Sequence, residues 1–104
     1  VAFGGNGRKI FIFGDMFELG QDTELHHRKI GEKCKQTELD AVHLLGEKTI
    51  FTDMELNSSI IHRHYSSKNE LISSLKESFK EGDKILFKGS RGMAMETVIH
   101  GIFH

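Results

Sequence analysis

The sequence predicts a three-layer α/β fold with a mainly parallel sheet, and three observations predict it. Short apolar runs rich in β-branched and aromatic residues alternate with segments that carry helical stripes. The run Ile10-Phe11-Ile12-Phe13 is continuous rather than alternating, the pattern of a strand covered on both faces. Each clear run ends in a glycine turn, at Gly14, Gly46 and Gly89.

Residues 1–7, with Gly4-Gly5-Asn6-Gly7, read as a linker or flexible lead-in, and residues 8–104 as one domain. A central strand is expected at 9–13. A helix follows over about 24–36, capped by Asp22 or Thr23, with His27, Ile30, Gly31 and Cys34 on one face. The second strand is Ala41 to Leu45. Between Lys48 and Ile61, the residues Ile50, Met54 and Ile61 suggest a helical apolar face that Asn57-Ser58-Ser59 weakens. A short edge strand is expected within 62–66. Ser67 and Glu70 have the spacing of a capping box, where each side chain satisfies a free backbone donor of the first turn. Leu71, Ile72, Leu75 and Phe79 then form a stripe, and Gly82 stands where a left-handed helix cap is expected. The last strand spans 84–88, and the last helix carries Met95, Val98, Ile99 and Ile102 at core spacing.

With 104 residues the chain is one domain at most, and its net charge of −1 offers no basic excess for nucleic acid. No run approaches the roughly 18 apolar residues of a membrane span. Val1 to Arg8 lacks the basic-then-apolar layout of a signal peptide. The single cysteine, Cys34, cannot make an internal disulfide, so a cytoplasmic protein is expected. Cys34 suits an apolar helix face better than a nucleophile.

In parallel α/β sheets the ligand edge lies where strand C-termini run into loops. Two loops stand out there, Gly14 to Gly20 and Gly89 to Met93. In the second, glycines admit close backbone approach and the following helix start favours an anion. Ser90 adds a hydroxyl, Lys88 a charge, and Arg91 a fork that can grip a carboxylate or phosphate, unless the segment is only a tight turn with a solvated Arg91. The Walker A spacing is missing. In the first loop, Asp15 and Glu18 could hold a metal, a water or an ammonium group, and Asp15 could equally satisfy backbone donors in its turn. His62 with His64, and His100 with His104, share faces but have no third ligand, so surface histidines are expected and no metal site.

These loops resemble those of the C-terminal domain of MurF-type enzymes of the Mur ligase family. The matching stretches are Arg8-Lys9-Ile10, Gly14-Asp15-Met16-Phe17-Glu18-Leu19-Gly20, His27-Arg28 with Gly31, Gly46-Glu47, and Lys88-Gly89-Ser90-Arg91-Gly92-Met93-Ala94-Met95-Glu96. They run in order from about Arg8 to Ile102. His26, where relatives have an apolar residue, and residues 1–7 depart from the pattern.

The resemblance implies a Rossmann-like domain of a ligase that joins D-alanyl-D-alanine to UDP-N-acetylmuramoyl-tripeptide with ATP and Mg²⁺ in peptidoglycan precursor synthesis. It implies that N-terminal and central domains bind the UDP-sugar peptide and the ATP phosphates. It further implies that a segment with a first strand lies upstream, and that this chain alone is inactive and holds no cofactor. Gly89, Ser90 and Arg91 are implied to face the dipeptide. Asp15 and Glu18 suit its ammonium group by charge. Gly14, Lys88 and His27 support the cleft, His27 by bonding the first loop or by packing. The competing expectation is a stand-alone flavodoxin-like binding or regulatory module. The equivalent domain of another Mur ligase or a folylpolyglutamate synthase is a further alternative. An upstream Gly-Lys-Thr/Ser P-loop in the reading frame would separate ligase from module.

Overall fold

The computed structural model describes residues 7–17, 20–58, 60–90 and 93–103. Four strands are described: β1 (Lys9–Gly14), β2 (Ala41–Leu45), β3 (Ile61–Tyr65) and β4 (Lys84–Lys88). They form an all-parallel sheet in the order β3-β2-β1-β4, as expected from the apolar runs. The helices are α1 (Thr23–Gln36), α2 (Ile50–Glu55), α3 (Lys68–Ser78) and α4 (Met95–Phe103), and a short 3-10 turn, Gly20–Asp22, precedes α1.

Strand alternation divides the core into two layers. Phe11, Phe13, Val42 and Leu44 point toward α1 and α2, where they meet Cys34, Leu39 and Leu56. Ile10, Ile12, Ala41 and Leu45 point the other way, against Leu71 and Leu75 of α3 and Met95 and Val98 of α4. A sheet covered on both faces explains why β1 and β2 are buried at nearly every position. The expected edge strand is β3, at one side of the sheet. Arg8 ties the start of β1 to the other side, with Nε and NH2 donating to the Asp83 carboxylate at 3.0 and 2.6 Å. Those bonds hold the Asp83 carboxyl below its ordinary range.

Several local expectations need correction. Ile50, Met54 and Ile61 do not form a buried face: they are 38, 62 and 74% exposed, and Ile61 belongs to β3. Thr49, Thr52 and Leu56 turn inward instead, because Thr52 Oγ1 finds a buried acceptor in His27 O at 2.7 Å. That contact requires a glycine opposite, since a Cβ at Gly31 would lie 2.8 Å from Thr52 O. Asp22 is the first residue before α1 but makes no side-chain cap bond, and the Thr23 hydroxyl donates back to Gly20 O. Ser67 does cap α3, accepting from Glu70 N at 3.2 Å. Gly82 has the expected positive φ of +91°, but α3 ends earlier, on an extended Phe79, so Gly82 serves the turn into β4. Ile99 is 38% exposed, while Met95 and Val98 carry the buried face of α4. No described helix is long and apolar enough to cross a membrane.

Candidate functional site

A parallel sheet sends every strand-to-helix junction to one edge, and four junctions meet there. The loop after β1 is held from three directions. Its backbone is joined to both neighbouring strand ends, with Asp15 N donating to Leu45 O and Ser90 N donating to Asp15 O, both at 3.1 Å. The Asp15 carboxylate is buried, at 5% exposure. Its Oδ1 accepts from Lys48 N and Thr49 N, each at 2.9 Å, at the entrance to α2. Gly46, with φ +112°, passes so close that any Cβ there would overlap the Asp15 carboxyl group. Asp15 thus satisfies backbone donors, one of the two readings open from sequence, although the donors belong to the β2–α2 junction rather than its own turn.

His27 supports the same loop. Thr23 O can only accept, so the 2.6 Å contact assigns the ring proton to Nδ1. Nε2 is then the acceptor for Met16 N–H at 3.1 Å. The hydrogen bond expected between His27 and the first loop is present, and the ring also packs on Phe13. Ser90 joins the two glycine loops, its Oγ accepting from Phe17 N at 2.7 Å. That bond uses a lone pair and leaves the Ser90 hydroxyl proton available to a ligand. Gly14 and Gly89 let Met95 sit on the strand ends: a Cβ at Gly14 would lie 2.7 Å from Met95 Sδ, and one at Gly89 3.0 Å from Met95 Cγ.

Beside this network lies a cleft of about 460 Å³ whose walls include Asp15, Phe17, Glu47, Lys48, Lys68 and Met93. Lys48 Nζ stands 5.8 Å from the centre of the Phe17 ring. Lys68 Nζ donates to Thr97 Oγ1 at 3.1 Å, which anchors it at the start of α4. The cleft therefore combines two ammonium groups, an apolar wall and carboxylates, a set that suits a small zwitterion or an anion. Sequence reading overlooked Lys48 and Lys68. They follow β2 and β3, and parallel topology sends those junctions to the same edge, which was the signal available.

Glu18 and Arg91 lie outside the described residues. Lys88 is not brought to the cleft: it lines a smaller cavity of about 170 Å³ on the α1 face with Lys33 and Cys34. Cys34 is buried, and burial pushes its thiol up to about 11, which removes the thiolate a nucleophile needs. The paired histidines part company. His62 Nδ1 bonds Asp53 Oδ1 at 2.7 Å, His64 Nε2 donates to Gly46 O at 2.6 Å, and His104 lies outside the described residues. Among the described residues no group of His, Cys, Asp and Glu could hold a metal ion.

Residues 2–91 match the family model of the Mur ligase glutamate ligase domain. The UDP-N-acetylmuramoyl-tripeptide--D-alanyl-D-alanine ligase of Bacillus subtilis is 34% identical over 101 residues, covering 91% of this chain and 21% of the relative. The Escherichia coli protein of the same name is 34% identical over 98 residues, covering 92% and 21%. Among solved structures, MurF from Acinetobacter baumannii superposes with a TM-score of 0.82 at 25% identity over 94% of this chain and 22% of that one. MurF from Thermotoga maritima in complex with ADP gives 0.74 at 26% identity, covering 93% and 22%. The chain thus spans about a fifth of the length of the curated relatives it matches.

Proposed function

The chain belongs to the Mur ligase family, as its C-terminal glutamate ligase domain, and from that premise we propose that it serves a MurF-type enzyme, joining D-alanyl-D-alanine to UDP-N-acetylmuramoyl-tripeptide in the cytoplasm. In that reaction ATP phosphorylates the tripeptide carboxylate. The dipeptide amine then attacks the acyl carbon, a C–N bond forms, the bond to the phosphate oxygen breaks, and phosphate leaves. The observation that carries the reading is the Ser90 junction, where the Phe17 amide donates to Oγ and ties the two loops together at that point.

This chain's part is to receive the incoming dipeptide and close the cleft. Gly89, Ser90 and Arg91 bind the dipeptide carboxylate, which persists through the reaction and suits a guanidinium. Lys48 and Lys68 add positive charge at the same edge. Asp15 and Glu18 give a negative field for the dipeptide ammonium, with Asp15 acting mainly by bracing the wall. Gly14 and His27 hold the loop in place, and Lys88 adds charge at a distance. Closure excludes water, which protects the acyl phosphate from hydrolysis.

ATP and Mg²⁺ fit this chain poorly as resident groups. The sequence has no P-loop, and Asp15 is buried with Oδ1 already accepting two backbone amides. Phosphate binding and the UDP-sugar peptide therefore fall to other domains of the enzyme. The chain by itself should neither hydrolyse ATP nor ligate, and turnover by the purified chain, free of contaminating ATPase, would overturn that.

The decisive experiment is Arg91→Ala in a complete enzyme carrying this domain, with steady-state kinetics varying each substrate in turn. Losing a charge-assisted contact costs on the order of 1.5–3 kcal/mol, so the KM for the dipeptide should rise roughly tenfold to a hundredfold. The KM for ATP should stay near its original value, and Arg91→Lys should recover part of the loss. An unchanged KM for the dipeptide rules the assignment out. A fall in melting temperature with both substrates equally affected assigns Arg91 to the turn alone.

A further inference from the structure

The opposite end of the sheet carries a second cavity that the ligase reading leaves unused. It measures about 350 Å³ and opens at the N-terminal ends of β1, β2 and β3, beneath the last turns of α3. It exists because small side chains, Ala41 on β2 and Ser74 and Ser78 on α3, stand where a sheet and a helix ordinarily interlock larger aliphatic groups. Ile10 and Ile61 supply apolar walls.

Its floor is chemically specific. His43 is 7% exposed, in the middle of β2. His43 Nδ1 lies 2.9 Å from Tyr65 OH, which is also hydrogen-bonded to Ser74 Oγ at 2.7 Å, so the phenol engages that ring nitrogen. Nε2 has no partner among the described residues. Burial, with the Arg63 and Arg8 charges nearby, lowers the His43 imidazole to about 4, so the ring is neutral at pH 7.

The charges around the cavity are unequal in commitment. Arg8 is engaged by Asp83, and Asp40 Oδ2 by Lys9 N at 2.7 Å. Arg63 stands exposed on β3 with its guanidinium 5.7 Å from the Tyr65 ring centre and no carboxylate partner among the described residues. We propose that this cavity binds a small planar aromatic acid bearing a hydroxyl group, with the hydroxyl meeting His43 Nε2 and the acid group meeting Arg63. The apolar walls cover the ring, and the Ser74 hydroxyl lines the same cavity. The site is separate from the dipeptide cleft, because it occupies the other end of the same strands.

The test is a heteronuclear NMR titration of the chain with para-hydroxybenzoate at pH 7. Saturable shifts should centre on His43, Arg63, Ser74 and Ser78. Arg63→Gln, at an exposed position, should weaken binding about tenfold, the size of one charge-assisted contact. Benzoate lacks the hydroxyl and phenol lacks the acid, and each should bind at least about fivefold more weakly. Ser78→Leu, at the exposed end of α3, should fill the mouth and remove the shifts, with the remaining spectrum reporting that the fold is intact. No saturable shift at these residues would overturn the proposal. So would equal binding by benzoate, or undiminished binding in Arg63→Gln or Ser78→Leu.

Discussion

Replacing Asp15 with alanine removes the one oxygen that accepts from both Lys48 N and Thr49 N. Thr49 is fully buried, so its amide cannot turn to water instead. A hydrogen bond to a charged group contributes about 1.5–3 kcal/mol, and a stranded buried donor costs a similar amount. Because the two bonds share an acceptor and adjacent donors, they do not add in full, and a total loss of about 3 kcal/mol is expected. For a domain of this size 1 kcal/mol moves the melting temperature by roughly 4 °C or more, so Asp15→Ala should melt about 12 °C lower. Asp15→Asn keeps an acceptor and loses the charge, and should cost about half as much. Thermal denaturation with amide hydrogen exchange at Lys48 and Thr49 reads both effects, and protection of the Thr49 amide should fall toward the level of an open loop. A melting temperature within about 3 °C of the parent, with Thr49 still protected, would refute the bracing role. If Asp15 instead serves the dipeptide ammonium directly, Asp15→Asn leaves stability unchanged and raises only the dipeptide KM of the complete enzyme.

Gly31→Ala places a methyl group 2.7 Å from Glu55 Cβ and 2.8 Å from Thr52 O, and the backbone oxygen cannot move cheaply. Overpacking of about 1–3 kcal/mol should outweigh the roughly 1 kcal/mol that alanine adds to a helix, so the variant should melt lower, and a higher melting temperature would contradict the close packing of α1 on α2. His43 predicts a pH dependence. Its folded value of about 4 lies below the ordinary 6.5, so between these values the unfolded chain binds more protons and stability falls as pH is lowered. From pH 7 to 4.5 the loss from this group should reach roughly 2 kcal/mol in urea denaturation, and His43→Leu should lack that component. Identical pH slopes for the two proteins would contradict a buried neutral ring.

Burial periodicity is a local property, and it was legible. The apolar runs at 9–13, 41–45 and 84–88, with the stripe at Leu71 and Leu75, required only that neighbouring residues share or alternate faces. Those patterns determined the parallel sheet, and the parallel sheet determined which edge the Gly14 and Gly89 loops occupy. The short helix α2 was not legible, because its apolar residues face solvent while Thr49 and Thr52 are buried by partners distant in the chain. A hydroxyl or carboxylate can be buried only when its hydrogen bonds are met, and composition says nothing of where the partner lies. Asp15 illustrates this: the Gly14-Asp15 pair after an apolar run marked a loop, yet the acceptor role of Asp15 depends on amides of the β2–α2 junction. Lys48 and Lys68 enter the cleft for the same reason. Their positions after two strands follow from chain order, but their convergence on the cleft beside Asp15 and Phe17 comes from the strand order β3-β2-β1-β4, which long-range packing sets.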